Sequence, residues 1–231
     1  MTLLKEKLIE GEFLSEIKNR FLCKVSINNL IHECYVPSSS RLENYLNLKN
    51  KKVLLTINKG KDTRTKYSVF AVKYRNKYII LNLHYANKLF EPMLKEAQYS
   101  EYNIHGTYRR EINVEGYKSD FFYEGSKKII IENKSIISTA NEVLFPGAYS
   151  SRGIEQLKIL KILLQKGYLV NYNLISLSPF VKKVKINPNI SEFRESFLRC
   201  IENGMKVYGY NLCFSYNDMT IKCNNLNVII E

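Results

Sequence analysis

The chain has 231 residues, 45% hydrophobic and 25% charged, which suits one large globular domain or two modest ones. No run of 18 apolar residues occurs, and the first residues, MTLLKEKLIEGEF, carry acids. Both features argue against a membrane-spanning helix and a secretory signal. The five cysteines are odd in number and never spaced C-x-x-C, so they fit reduced thiols of a cytoplasmic protein better than disulfides or a zinc site. Lys and Arg number 35 against 22 acids, a net charge of +13. Residues 1–84 hold 16 bases and 7 acids (+9), whereas residues 85–231 hold 19 and 15 (+4). A basic module joined to a nearly balanced one points to a polyanionic partner, although a chain rich in Lys, Asn, Ile and Tyr throughout also yields such a surplus.

Residues 1–84 read as short strands: NRFLCKVSIN (19–28), LIHECYV (30–36), KKVLLTIN (51–58), TKYSVFAVKY (65–74) and KYIILNLH (77–84). Asn28-Asn29 and Arg75-Asn76 mark tight turns between them. Five such strands suit a small barrel of the oligonucleotide-binding (OB) type, with Phe21, Val25, Leu54 and Val69 as its filling. Arg20, Arg41, Lys52 and Lys66 are the candidate phosphate contacts of this module. Arg41 follows Pro37-Ser-Ser-Ser, either a phosphate-contacting loop or a plain polar one.

ANKLFEPMLKEA (86–97) reads as a helix with Pro92 near its start, and the change in composition puts a domain boundary at residue 84/85. Strands at 108–116, 117–125 and 127–135 follow, then a long polar connection over 137–153. A helix begins near Ser150 or Ser151 and stops at Gly167. A buried strand (168–178), an amphipathic helix (190–204) and closing strands complete an α/β domain with a mixed sheet.

The chemistry gathers in the stretch from Asp120 to Lys134. Strand geometry puts Glu132 and Lys134 on one face and turns Asn133 away. If Asp120 ends the preceding strand, its carboxylate meets Glu132 across the pair. Two converging carboxylates form a hard oxygen site for magnesium or manganese, and a lysine beside them completes the D-x(n)-E-x-K layout of metal-assisted phosphodiester cleavage. Glu111 is placed to add a third acid, and Arg152 and Gln156 lie four apart on a helix face that could look onto the acids. The same residues also make a solvated hairpin with a surface ion pair and an ordinary exposed helix face.

Several segments resemble the sugar fermentation stimulation protein A family: NRFL (19–22), VPSSSRLENYL (36–46), LNLHYANKL (81–89), SDF (119–121), ENKS (132–135) and LFPGAYSSRGIEQL (144–157). The resemblance implies an N-terminal OB-like barrel over residues 1–84 and a domain like the PD-(D/E)XK nucleases over residues 85–231. It also implies non-specific DNA binding and a regulatory role in sugar (maltose) use. Carried over, Asp120, Glu132 and Lys134 take the nuclease-like acid, acid and lysine positions, Glu111 an upstream acid, and Arg152 opens the R-G helix. Ser38–Ser40 replace the usual Asn-Thr-Gly, Gly147 stands where the family has Pro-Asp, and Gln156 where a histidine is common. The expectation is a DNA-binding protein with a divalent-metal site, either a metal-dependent phosphodiesterase or a non-catalytic regulator.

Overall fold

The computed structural model describes residues 2–17, 21–37, 46–60, 63–95 and 107–230. Arg20 and Arg41 lie outside them. Five strands close the N-terminal barrel: β2 (Leu8–Glu16), β3 (Leu22–Ile27), β4 (Leu30–Tyr35), β5 (Lys52–Ile57) and β6 (Tyr67–Tyr74), after a short β1 (Thr2–Leu3). Their order is β4-β3-β2-β5-β6, and a parallel pairing of Cys34–Tyr35 with Tyr67–Ser68 shuts the ring. Val25 and Val69 are fully buried inside the barrel as expected. Leu54 is fully buried but on the barrel's outer wall, in the core it shares with α1, and Phe21 is only half-buried and does not fill the barrel. The strand pattern over 77–84 was expected to be the fifth barrel strand; the fifth is β2 instead. Residues 77–80 form β7 (Lys77–Ile80), which pairs with β6 and carries the sheet out of the barrel.

Next come α1 (His84–Lys95), β8 (Thr107–Val114), β9 (Tyr117–Glu124) and β10 (Lys128–Ile136). Pro92 lies inside α1 rather than near its start. A proline there removes one helical hydrogen bond, and burial of Leu89, Phe90 and Leu94 offsets that loss. The polar connection after β10 is interrupted by β11 (Glu142–Phe145), which pairs in parallel with β13 (Lys183–Ile186). The remaining elements are α2 (Ser151–Gln165), β12 (Leu169–Ser176), α3 (Ser191–Glu202), β14 (Lys206–Ser215), β15 (Thr220–Asn225) and β16 (Asn227–Ile229).

The second module is a mixed sheet: β8, β9 and β10 are antiparallel, β10, β12 and β14 parallel, and β15 antiparallel again. One sheet path joins both modules through Tyr78 of β7 and Phe214 of β14. α1 packs with one sheet face and the outer wall of the barrel, where Phe90, Phe121, Phe70 and Phe214 share a core. α2 and α3 cover the opposite face with Leu157, Leu160, Phe193 and Phe197. The chain is therefore mixed α/β with an OB barrel, and among the described residues no helix is long and apolar enough to cross a membrane.

Candidate metal and nucleic-acid site

β9 and β10 form a ladder that ends at Phe121 opposite Ile131. Beyond it β9 continues alongside β8 only, while β10 continues alongside β12. Asp120 and Glu132 are the first residues past this fork. Asp120 therefore sits in mid-strand, not at a strand end, and parting of the partner strand is what opens space beside it.

The two-residue period of β10 sends neighbouring side chains to opposite faces. Asn133 faces α1: its Nδ2 donates to Asn87 Oδ1 at 2.9 Å, and Asn87 Nδ2 donates to Asp120 Oδ1 at 2.8 Å. The Asn133 backbone N–H donates to Asp120 Oδ2 at 2.8 Å. Asn173 of β12, directly opposite Asn133, donates to Asn133 Oδ1 at 2.8 Å, so a relay of amides fixes the Asp120 carboxylate. Each Asp120 oxygen accepts one such bond and keeps lone pairs for another ligand.

Glu132 and Lys134 face α2. Lys134 Nζ donates to Glu132 Oε1 at 2.6 Å and to Gln156 Oε1 at 2.8 Å. Glu132 is only 4% exposed, and its other oxygen, Oε2, is buried with no partner at hydrogen-bonding geometry. The Tyr117 hydroxyl is likewise buried and stands against Glu132 as a donor, short of full hydrogen-bond geometry. Burial pushes the Glu132 carboxyl above the usual glutamate range; Lys134 pulls it down and Asp120 pushes it further up.

Gln156 owes its position to α2. Ser150 Oγ accepts the Gly153 N–H at 3.1 Å and caps the helix, whose buried face is Ile154, Leu157, Leu160, Leu163 and Leu164. Arg152 is exposed in the first turn of that helix. Glu111 lies level with Asp120 on β8, but its exposed side chain pairs with Lys118 Nζ at 2.9 Å. The hydrogen bond from Lys118 holds its carboxyl below the ordinary range. The structure thus brings together Asp120, Glu132, Lys134 and Gln156, and leaves Glu111 in an ion pair of its own. Among the described residues no group of three acids, histidines or cysteines is arranged to hold a metal.

In the barrel, Lys52 Nζ lies 2.5 Å from Glu10 Oε2, so that charge is already compensated. Lys66 is exposed, its ammonium 5.4 Å from the centre of the Tyr67 ring. Sequence reasoning missed Asn87, Asn173 and Tyr117. A signal existed for Asn173: an asparagine inside LVNYNLIS, a strand buried along nearly all its length, needs a partner within the protein for its amide N–H groups.

Barrel and mixed sheet define a two-module protein in which an OB unit adjoins an α/β domain that brings Asp120 near Glu132. Residues 17–81 match the SfsA N-terminal OB domain, and residues 84–218 match the sugar fermentation stimulation protein RE domain. The chain belongs to the sugar fermentation stimulation protein family. It is 33% identical to the Natranaerobius thermophilus homologue over 169 residues, 71% of this chain and 70% of that one. The Saccharolobus solfataricus homologue is 28% identical over 211 residues, 88% of this chain and 78% of the relative. The structure of Pyrococcus furiosus SfsA in complex with Ca2+ superposes with a TM-score of 0.84 at 23% identity, covering 99% of both chains, a likeness of fold.

Proposed function

We propose that the chain is a nucleic-acid-binding protein with a divalent-metal site, acting as a metal-dependent phosphodiesterase of the PD-(D/E)XK type. Asp120 and Glu132 would hold magnesium or manganese. The observation that carries this reading is Glu132 Oε2, a buried carboxylate oxygen that makes no full hydrogen bond, with the Tyr117 hydroxyl close by and a second carboxylate, Asp120, acting on it. Buried charges of this kind are paired or coordinate metals. A bound divalent cation supplies Lewis-acid stabilisation to a scissile phosphate and acidifies water. Lys134, held by Glu132 and Gln156, would place its ammonium against the attacking water or the phosphate, and Asn87 and Asn133 would keep Asp120 aligned. The Pyrococcus furiosus relative is described with Ca2+, another hard cation that takes oxygen ligands. The basic module of residues 1–84 would grip the phosphate backbone of DNA with little sequence specificity, through Lys66, Arg20 and Arg41, with Arg152 as a further contact from α2. Free thiols at all five cysteines fit a cytoplasmic setting.

A second reading is a non-catalytic DNA-binding regulator of sugar metabolism. What favours it is that Lys134 already neutralises Glu132 Oε1 while Glu111 is engaged by Lys118. Calorimetric titration of Mn2+ and Mg2+ into the unmodified chain and Asp120→Ala, with labelled DNA incubated alongside, separates the two. Heat and cleavage in the unmodified chain that both vanish in Asp120→Ala support the phosphodiesterase. DNA binding with neither heat nor cleavage selects the regulator.

A further inference from the structure

The barrel and the start of α1 enclose an open cavity of about 560 Å3, inside the roughly 300–1,000 Å3 typical of small-ligand sites. One side is aromatic: the rings of Phe21 and Tyr35 lie 6.4 Å apart at 33°, and Tyr85 contributes a third. The other side is polar yet nearly buried, with Thr56, Thr65, Ser68 and Asn82 each under one-tenth exposed. Internal bonds hold that side rigid. Asn58 Nδ2 donates to the Thr65 carbonyl at 2.8 Å, and Ser68 Oγ donates to Asn58 Oδ1 at 2.6 Å. Asn82 Oδ1 accepts the His84 N–H at 3.1 Å.

Among the described residues no carboxylate lines the cavity, whereas Arg64 and His84 do. Arg64 is exposed at the mouth and meets Glu33 only at 3.6 Å, in the open. A flat ring with hydrogen-bonding edges, attached to negative charge, is the ligand that such walls and such a mouth suit. The cavity shares helix α1 with the carboxylate site. His84 opens α1, and Asn87, three residues along the same helix (a rise of about 4.5 Å), holds Asp120. His84 is moreover close enough to Glu111 to act on its carboxylate.

We infer that this cavity receives one unpaired nucleobase of a single-stranded nucleic acid, stacked against Phe21 and Tyr35, and so leads the adjoining backbone toward Asp120 and Glu132. The inference rests on the nucleic-acid reading above and narrows it to single strands. A base inside a duplex stack reaches such a cavity only after it is extruded, which costs unstacking and unpairing. Aromatic stacking is tolerant of base identity and is strongest where the base is already free.

Fluorescence anisotropy in EDTA tests this with labelled 12-nucleotide probes: single-stranded DNA, single-stranded RNA, duplex DNA, and an abasic strand that keeps every phosphate. The unmodified chain is expected to bind a base-bearing single strand about tenfold more tightly than the abasic one. Phe21→Ala/Tyr35→Ala is expected to erase that difference and leave abasic binding unchanged, with folding checked by circular dichroism. Equal binding of the abasic and base-bearing strands by the unmodified chain overturns the cavity inference while nucleic-acid binding stands. So does tighter binding of duplex, or a difference that survives in the double variant. Failure to bind any probe removes the nucleic-acid reading itself, and this inference with it. Because the abasic comparison uses the unmodified chain, it decides the matter even if the double variant does not fold.

Discussion

A carboxyl group taken out of water binds its proton more tightly, so the stability it confers changes with pH. Glu132 is such a group: burial raises its pKa, with Asp120 adding to the rise and Lys134 opposing it. The sign follows from which state holds the proton. With the folded value above the ordinary 4.5, the folded protein keeps the proton over a window where the unfolded chain has lost it. Stability linked to this group is therefore fully present below the unfolded pKa and lost as pH rises through the folded one. Glu132→Gln removes the titration, so the variant should gain on the unmodified chain as pH climbs from the ordinary 4.5 up through the raised value. Within that window the gap should widen by about 1.4 kcal/mol for each pH unit. Urea midpoints of both proteins across that range, in EDTA, provide the check, and a constant gap would show that Glu132 is not held protonated by the fold. That Glu132 and Lys134 share a face is legible in the sequence because the strand period is local. The bond from Asn87 to Asp120 is not, since it spans 33 residues and depends on where α1 docks.

Strand β14 illustrates how an element is fixed by close approach. Gly209 lies opposite Leu174 of β12, and its carbonyl accepts the Leu226 N–H at 3.0 Å. A Cβ built on Gly209 would stand 2.2 Å from the Leu226 carbonyl oxygen and 2.6 Å from Val228 Cγ2. The first neighbour is backbone and cannot swing aside. Gly209→Ala should thus push the Leu226–Val228 segment off β14 and cost about 1–3 kcal/mol, the range for overpacked interiors. Chemical denaturation measures the loss, and faster amide exchange in β16 would locate it; an unchanged midpoint would mean that the two strands are free to separate. Elements with a strong internal period are the ones readable from sequence. α2 carries its apolar ridge, its Ser150 cap and the Gly167 stop within one stretch. β2 and β11 escaped notice for opposite reasons. β2 is mostly half-buried along its nine residues and so alternates weakly, and β11 is four residues long and finds its partner about 40 positions later.

Charge divides this chain at residue 84/85, but packing does not. The core beneath α1 draws Leu54 and Phe70 from the barrel, Phe90 and Leu94 from the helix, and Phe121, Ile131 and Phe214 from the second sheet. Phe214 is the hinge of that cluster: its ring lies 5.1 Å from Phe70 and 5.9 Å from Tyr78, edge-on to both, while its own strand belongs to the α/β module. If either module unfolded alone, it would strip apolar surface from the other, so neither has a fully closed core without its neighbour. The expected behaviour is one thermal transition with equal calorimetric and van't Hoff enthalpies, of roughly 160 kcal/mol at about 0.7 kcal/mol per residue. Phe214→Ala should lower that single transition as a unit, by about 3–5 kcal/mol of stability for a buried ring. Differential scanning calorimetry of both proteins decides it. Two separated transitions, or a substitution that moves only one part of the melt, would mean that the modules are energetically independent and that the composition boundary is a folding boundary as well.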